Sequence, residues 1–265
     1  MTFALDVLDL AVPEVATAEN FYKATFAPQA TEQGESVDLD LHGTAQVGLH
    51  QSDALAATVG TPATTDGFRG FVISYVLKQP TEVQTLVEAA RQQGATVLKP
   101  PKKSLFAGFS AVYRTPDGSI WKLAAPHRKD DGPAQNPPVP TEVGALLGVQ
   151  DTKASKAFYE ALGMKVDRDY GDKYIDFHVE EGRCRLALMP RKTLAKDAGV
   201  EESGSGFHHS VFTYRADSRE EADLLLSAAA SSGGKVAVPA AEDENGTYRG
   251  AFSDPDGNLW NVTVK

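Results

Sequence analysis

One cysteine in 265 residues rules out an intramolecular disulfide. It also leaves no CxxC pair for a redox or zinc motif. That residue, Cys184, stands in the apolar run "CRLALM" with no basic neighbour in sequence. The expectation is therefore a buried, inert thiol rather than a nucleophile. HExxH, a Walker-type Gly-Lys-Ser/Thr, a Rossmann glycine triplet and a GxSxG elbow are also absent, which removes the commonest zinc-protease, nucleotide and serine-hydrolase readings. "SGSGF" (203–207) is glycine-rich but leads into a strand, with no helix following to hold a phosphate.

Positive charge is scarce as well. The net charge is −10, with nine Lys/Arg against 13 Asp/Glu in residues 1–126 and 17 against 23 in the remainder. Neither half carries the basic footprint of a nucleic-acid binder. "MTFALDVLDLAVPEV" has no basic n-region and includes Asp6 and Asp9, so neither a signal peptide nor a membrane span is expected there. A cytoplasmic location follows as an expectation.

What the chain has is repetition. "GFRGFVISY" (67–75) aligns with "GFHHSVFTY" (206–214), and "EAARQQGATVLKP" (88–100) with "SAAASSGGKVAVP" (227–239). "RTPDGSIW" (114–121) aligns with "SDPDGNLW" (253–260), and all three pairs share an offset of 139 residues. "AENFYKATF" (18–26) matches "SKAFYEALG" (155–163) at 137. A nearly constant offset across several elements marks a tandem duplication. Between the copies, "PHRKDDGPAQNPPVP" (126–140) contains five prolines and few apolar residues, the composition of a linker. The expected division is residues 1–126, a Pro-rich linker at 127–140, and residues 141–265.

Within each copy a short alternating strand (5–12; 143–149) precedes a helix carrying Phe-Tyr, and further strands follow. A second strand and helix then lead into more strands, the last of them opened by the PDG turn. Proline presets φ, Asp caps its own backbone and glycine supplies a positive φ, so PDG fits a tight hairpin. Each half thus reads βαβββ twice, an α+β fold.

The early Phe-Tyr helix, the "GF-x-[HG]" strand start, the "GA-x-V-x-x-P" helix exit and the terminal "DPDG-x-x-W" hairpin together resemble the vicinal-oxygen-chelate superfamily. That group includes glyoxalase I, bleomycin-resistance proteins and extradiol dioxygenases. The resemblance covers both halves and implies two tandem glyoxalase-like domains, each of two βαβββ modules forming a U-shaped half-barrel around a cavity. It also implies where catalytic members hold a divalent metal (Zn, Ni, Fe or Mn) with His, Gln or Glu. Carried onto this chain, the first-strand positions are Val7 and Gly144, the "GF-x-x" positions Gly70 and His209, the inner-strand positions Gly48 and Ala187, and the last-strand positions Lys122 and Asn261. His209 is the one strong donor among them, and Asn261 is a weak neutral one. One imidazole does not make a metal site, so no cofactor is expected and both cavities read as metal-free.

Several residues remain as candidate ligand contacts. Asp9 and Lys122 are expected to meet as an ion pair in the place of a metal, although either could instead reach solvent. Arg69 could recognise a carboxylate or phosphate, although a solvated strand-end arginine is the simpler reading. Tyr174 and His178 are expected near a cavity, and His178 with His209 and a carboxylate would be a shifted metal site. The loops 50–67 and 190–206 are expected as lids. The reading for function is binding of a small organic ligand without metal, as a monomer or homodimer. The alternative is a divalent-metal lyase, isomerase or dioxygenase-like enzyme built around His209.

Overall fold

The computed structural model describes residues 3–103, 108–180, 182–243 and 246–264. Four βαβββ modules succeed one another. The first is β1 (Val7–Val12), α1 (Val15–Phe26), β2 (Gln29–Gln33), β3 (Ser36–Asp40) and β4 (Gln46–Gln51). The second is β6 (Phe71–Val76), α3 (Pro80–Gln92), β7 (Thr96–Lys103), β8 (Phe109–Arg114) and β9 (Ile120–Ala125). The third is β10 (Glu142–Val149), α4 (Thr152–Ala161), β11 (Val166–Asp169), β12 (Ile175–Phe177) and β13 (Arg185–Pro190). The fourth is β15 (Ser210–Ala216), α6 (Arg219–Ser231), β16 (Lys235–Glu242), β17 (Tyr248–Ser253) and β18 (Leu259–Val264). Each half also inserts a helix and a short strand between its modules: α2 (Ser52–Thr58) with β5 (Thr65–Gly67), and α5 (Arg191–Ala198) with β14 (Gly204–Gly206).

Local chemistry sets the helix starts. Glu14, Asp151 and Ser218 each accept backbone N–H groups of the first turn of α1, α4 and α6, satisfying donors a helix leaves unpaired. Gln79, ahead of α3, makes no such cap; Pro80 opens that helix and needs no N–H partner. Gln79 and Glu82 instead hold the linker, through bonds with Gly132, Asp131 and Gln135.

The strands form two eight-stranded sheets. The first runs β16-β17-β18-β15-β1-β4-β3-β2, the second β11-β12-β13-β10-β6-β9-β8-β7. The α+β class and the pairing of two βαβββ modules per half-barrel are as expected. The choice of partners is not: the first sheet joins modules one and four, the second modules two and three. β1 lies antiparallel to β15, with Asp9 opposite Val211, and β10 antiparallel to β6, with Leu146 opposite Val72. Neither trough belongs to one sequence half.

The halves are held by the core between the sheets. Leu8, Leu10, Phe212 and Trp260 from the first sheet share one buried cluster with Ile73, Tyr75, Trp121 and Leu147 from the second. Phe26 of α1 stacks on Tyr75 at 4.6 Å and lies 4.8 Å from Trp121. The Phe-Tyr motif also clasps the PDG turn of its own half. Tyr22 O–H donates to Asp117 at 3.0 Å, and Tyr159 O–H to Asp254 at 2.7 Å. Each turn therefore ends a hairpin in one sheet and is tied to a helix whose preceding strand lies in the other.

Candidate functional site

Alternation along the central strands turns every second residue away from this core. On β1 Leu8, Leu10 and Val12 enter the core, while Ala11 packs in a separate small cluster on the opposite face. On β10 Val143, Ala145, Leu147 and Val149 enter the core, and Leu146 faces away. Those outer faces are the two troughs.

The loops expected as lids are packed into the troughs. Helix α2 buries Leu55 and Ala56 against Ala11, Val211 and Ala251. Helix α5 buries Leu194, Ala195 and Ala198 against Val72, Ile120, Leu146 and Ala187. The connectors behind them pair as β5 and β14, where Gly67 faces Gly204. A Cβ on Gly67 would stand 2.4 Å from the Ser203 carbonyl, so this crossing requires glycine.

In the first trough the polar centre is Asp9. Its Oδ1 lies 2.9 Å from His50 Nε2, and its Oδ2 accepts the Thr213 hydroxyl at 2.5 Å. Asp9 is 7% exposed, so the pair is formed largely away from water. Burial alone would lower the His50 imidazole. The bond to Asp9 and the charges of Asp9 and Asp38 outweigh burial and hold it above its ordinary value. Asp38 is itself raised, by burial and then by the Asp9 charge. Asn261 donates to Thr58 of α2 at 3.3 Å, and its Oδ1 is buried without a partner. A carboxylate orienting an imidazole is an arrangement that can accept and return a proton.

The second trough is built differently. Lys122 Nζ meets Asp197 of α5 at 2.6 Å. The third module's side is closed by an ionic network: Arg185 pairs with Glu142 at 2.7 Å and Asp167 at 2.8 Å, and Asp176, fully buried, pairs with Arg168. Tyr174 O–H donates to Asp176 at 2.9 Å, and burial followed by the Asp176 charge raises that phenol. On the second module's side the trough stays open as a cavity of about 820 Å³. Phe68, Leu98, Ile120 and Val200 line it with apolar surface, and Arg69, Arg114, Ser119, Lys196 and Glu201 add polar groups.

The expected contacts thus divide. Asp9 and Asn261 stand in the first trough; Arg69, Lys122 and Tyr174 stand in the second. The pairing of Asp9 with Lys122 is corrected: the two lie on different sheets, each satisfied by a nearer partner. His178 is exposed just beyond β12, whereas His209 precedes β15 in the other sheet, so the shifted metal set of His178 with His209 is not brought together. His209 is not a strand residue at all. It adopts φ 55°, with Nδ1 buried and unpartnered, and burial followed by the Arg69 charge lowers it to about 4. Cys184 is buried, its thiol pushed up to about 12 by burial, as the apolar run suggested. His50, Asp38, Thr213, Arg114 and Asp197 were missed. His50 had a signal: it follows Gly48 by two residues and shares its face.

The positions that would hold a metal can now be placed. Val7 and Gly144 precede the helix caps Glu14 and Asp151 by seven residues. The same count from Gln79 and Ser218 reaches Val72 and Val211. Gly70 and His209 are therefore corrected as wall positions, because both sit at positive φ ahead of their strands. The sets become Val7, Gly48, Val211 and Asn261 in one trough, and Gly144, Ala187, Val72 and Lys122 in the other. Neither set fits a cation. A Cβ on Gly48 would fall 2.2 Å from Asp9 Oδ1 and 2.6 Å from His50 Nε2, so the pair fills the space of a missing ligand. Among the described residues no group of three or more His, Cys, Asp or Glu is placed to hold a metal ion.

Residues 143–262 match the model of the Glyoxalase/Bleomycin resistance protein/Dioxygenase superfamily. The match covers the second sequence half of the chain. The fold of the chain is that of glyoxalase I from Zea mays, with a TM-score of 0.66 at 17% identity over 99% of this chain and 92% of that one. It is also that of a putative dioxygenase from Bacillus subtilis, with a TM-score of 0.65 at 13% identity over 99% and 85%. No curated protein matches the sequence significantly. Among the described residues, no helix is long and apolar enough to cross a membrane.

Proposed function

We propose that this protein binds a small organic molecule without a metal, in the open end of the second trough. One observation carries the reading. The 820 Å³ cavity lies in a trough whose four metal positions are Gly144, Ala187, Val72 and Lys122. Three of these side chains cannot donate to a cation, and the fourth would repel one. The size suits a drug-sized guest, and the lining offers it both apolar surface and polar or charged groups. Of the contacts expected from the sequence this reading keeps Arg69, which lines the cavity; Lys122 and Tyr174 stand elsewhere in the trough, bonded to Asp197 and Asp176. The same reading takes the protein as cytosolic, in keeping with a lone buried thiol, and as active in a single chain, because both modules of each trough come from it.

The test is metal analysis of protein purified without a His-tag, combined with thermal-shift screening against small organic molecules with and without added Zn, Ni, Fe and Mn. Metal-free protein that is stabilised by a guest, with no further gain from any of the four ions, supports the proposal. A stoichiometric tightly held ion, or a guest that binds only with metal present, overturns it.

A further inference from the structure

The basic side chains around this cavity stand out in a chain with ten more acids than bases. Arg69, Arg114 and Lys196 line it, and the lining includes one acid, Glu201. Among the described residues none of the three cations forms an ion pair; Arg114 and Lys196 are exposed, but Arg69 is half-buried, as are Lys122, Arg183 and Arg185, which all have carboxylate partners. The guanidinium of Arg69 lies over the PDG turn, where a Cβ on Gly118 would stand 2.5 Å from its Nη2. Nη2 reaches the Asp117 carbonyl at 3.4 Å, a weak bond, and Nη1 is shut from solvent with no partner. The Asp117 carboxylate is engaged elsewhere, by Tyr22 and Thr115 hydroxyls and the Ser119 N–H. Ser119 Oγ, beside the same cavity, is also buried and unpartnered.

A second observation is independent of the arginines. Lys99, on the neighbouring strand, donates to the Lys196 carbonyl. Its ammonium is lowered by burial and, against the pull of Asp197, by Lys102, Lys122 and Lys196. Positive charge from Arg69, Arg114, Lys99 and Lys196 is therefore concentrated along this wall beyond what Glu201 and Asp197 offset. An arginine with unfilled donors is well suited to a planar or tetrahedral oxyanion, and a positive cleft with low-dielectric walls draws anions in.

We infer that the guest of the second trough is an organic anion, an apolar body bearing a carboxylate, sulfonate or phosphate that lies against Arg69 and Arg114. This rests on the binding proposed above and deepens it. The apolar body packs on Phe68, Leu98, Ile120 and Val200, and the anionic end offsets the positive charge of Arg69 and Arg114.

Two fluorescent probes of similar shape separate the claims: 8-anilinonaphthalene-1-sulfonate, and N-phenyl-1-naphthylamine, which lacks the sulfonate. The sulfonate is expected to bind at least about tenfold more tightly, with the gap narrowing as salt rises from roughly 20 to 500 mM. The double variant Arg69→Gln with Arg114→Gln should close most of the gap, read as the ratio of the two affinities so that a loss common to both probes cancels. Val200→Trp, at a partly exposed wall position, should block both probes. Equal affinity for the two probes, or a gap that survives both arginine substitutions, overturns the anion preference and leaves the binding proposal standing. Absence of binding by both probes, or binding unaffected by Val200→Trp, overturns the binding proposal and this inference with it.

Discussion

The two troughs share a topology and differ in what fills them. An offset of 139 residues relates His50 to Met189, Thr58 to Asp197 and Lys122 to Asn261, and one of 137 relates Asp9 to Leu146. Where the first trough has Asp9 bonded to His50, the second has Leu146 and Met189 in its apolar cluster. Where the first has the neutral pair Asn261–Thr58, the second has the ion pair Lys122–Asp197. Position is preserved while chemistry is exchanged, and in both the last strand is bonded to the last turn of the inserted helix. A trough without metal donors is thus closed by whichever local pair its strands and helix can offer. One closes over an acid–imidazole pair; the other leaves a positive cavity.

Swapping the chemistry between troughs is the strongest way to break this comparison. His50→Met leaves Asp9 buried with half its partners gone, and the expected loss is about 2–4 kcal/mol in urea unfolding at pH 6. The double variant Asp9→Leu with His50→Met copies the second trough and should be less destabilised than His50→Met alone, because an apolar pair requires no counter-charge. A double variant as unstable as the sum of its single changes would show that the two positions do not act together.

The reciprocal exchange is expected to be smaller. Lys122 is the better buried partner, with 15% of its side chain exposed against 36% for Asp197. Asp197→Thr therefore strands the more costly charge and should lose about 1–2 kcal/mol, with Lys122→Asn losing less. Joining them recreates the neutral Asn–Thr pair of the other trough and should recover part of the loss, measured as a positive coupling in a double-mutant cycle.

How much of this was legible beforehand follows from the range of the forces involved. The PDG turns and the Phe-Tyr helices are local chemistry repeated in order, so the module pattern could be read. Strand alternation put Asp9 on the face of Val7, and the resemblance put Asn261 at a wall position of the last strand; both stand in the first trough. The exchange of modules between the halves could not be read, since all four first strands are similar, and their pairing is decided by the long-range aromatic core of Phe26, Tyr75 and Trp121. Asp197 was hidden for a related reason. It stands on an inserted helix, and no strand period says that this helix lies in the trough. His209 misled because a positive φ, invisible in the repeat, lifts it out of its strand. His50 was within reach, two residues beyond a position that was tested.

The smallest effects expected are in pH dependence, and here the two histidines oppose one another. His50 is held above its ordinary value of 6.5 in the folded chain, so folding favours its protonated form. Its contribution is complete below pH 6.5 and is lost as pH rises through the folded value. His209 is depressed to about 4, so folding favours its neutral form. That contribution is complete above pH 6.5 and is lost as pH falls towards 4. His50→Asn should accordingly flatten the alkaline limb of the stability profile. His209→Asn, which tolerates the left-handed backbone at that position, should flatten the acid limb. Urea unfolding between pH 4 and 9, with NMR titration of both rings, measures each limb separately. A wild-type profile unchanged by either substitution, with both rings titrating near 6.5, would mean that neither trough perturbs its histidine, and the contrast between the Asp9–His50 pair and the Arg69 wall would lose its electrostatic basis.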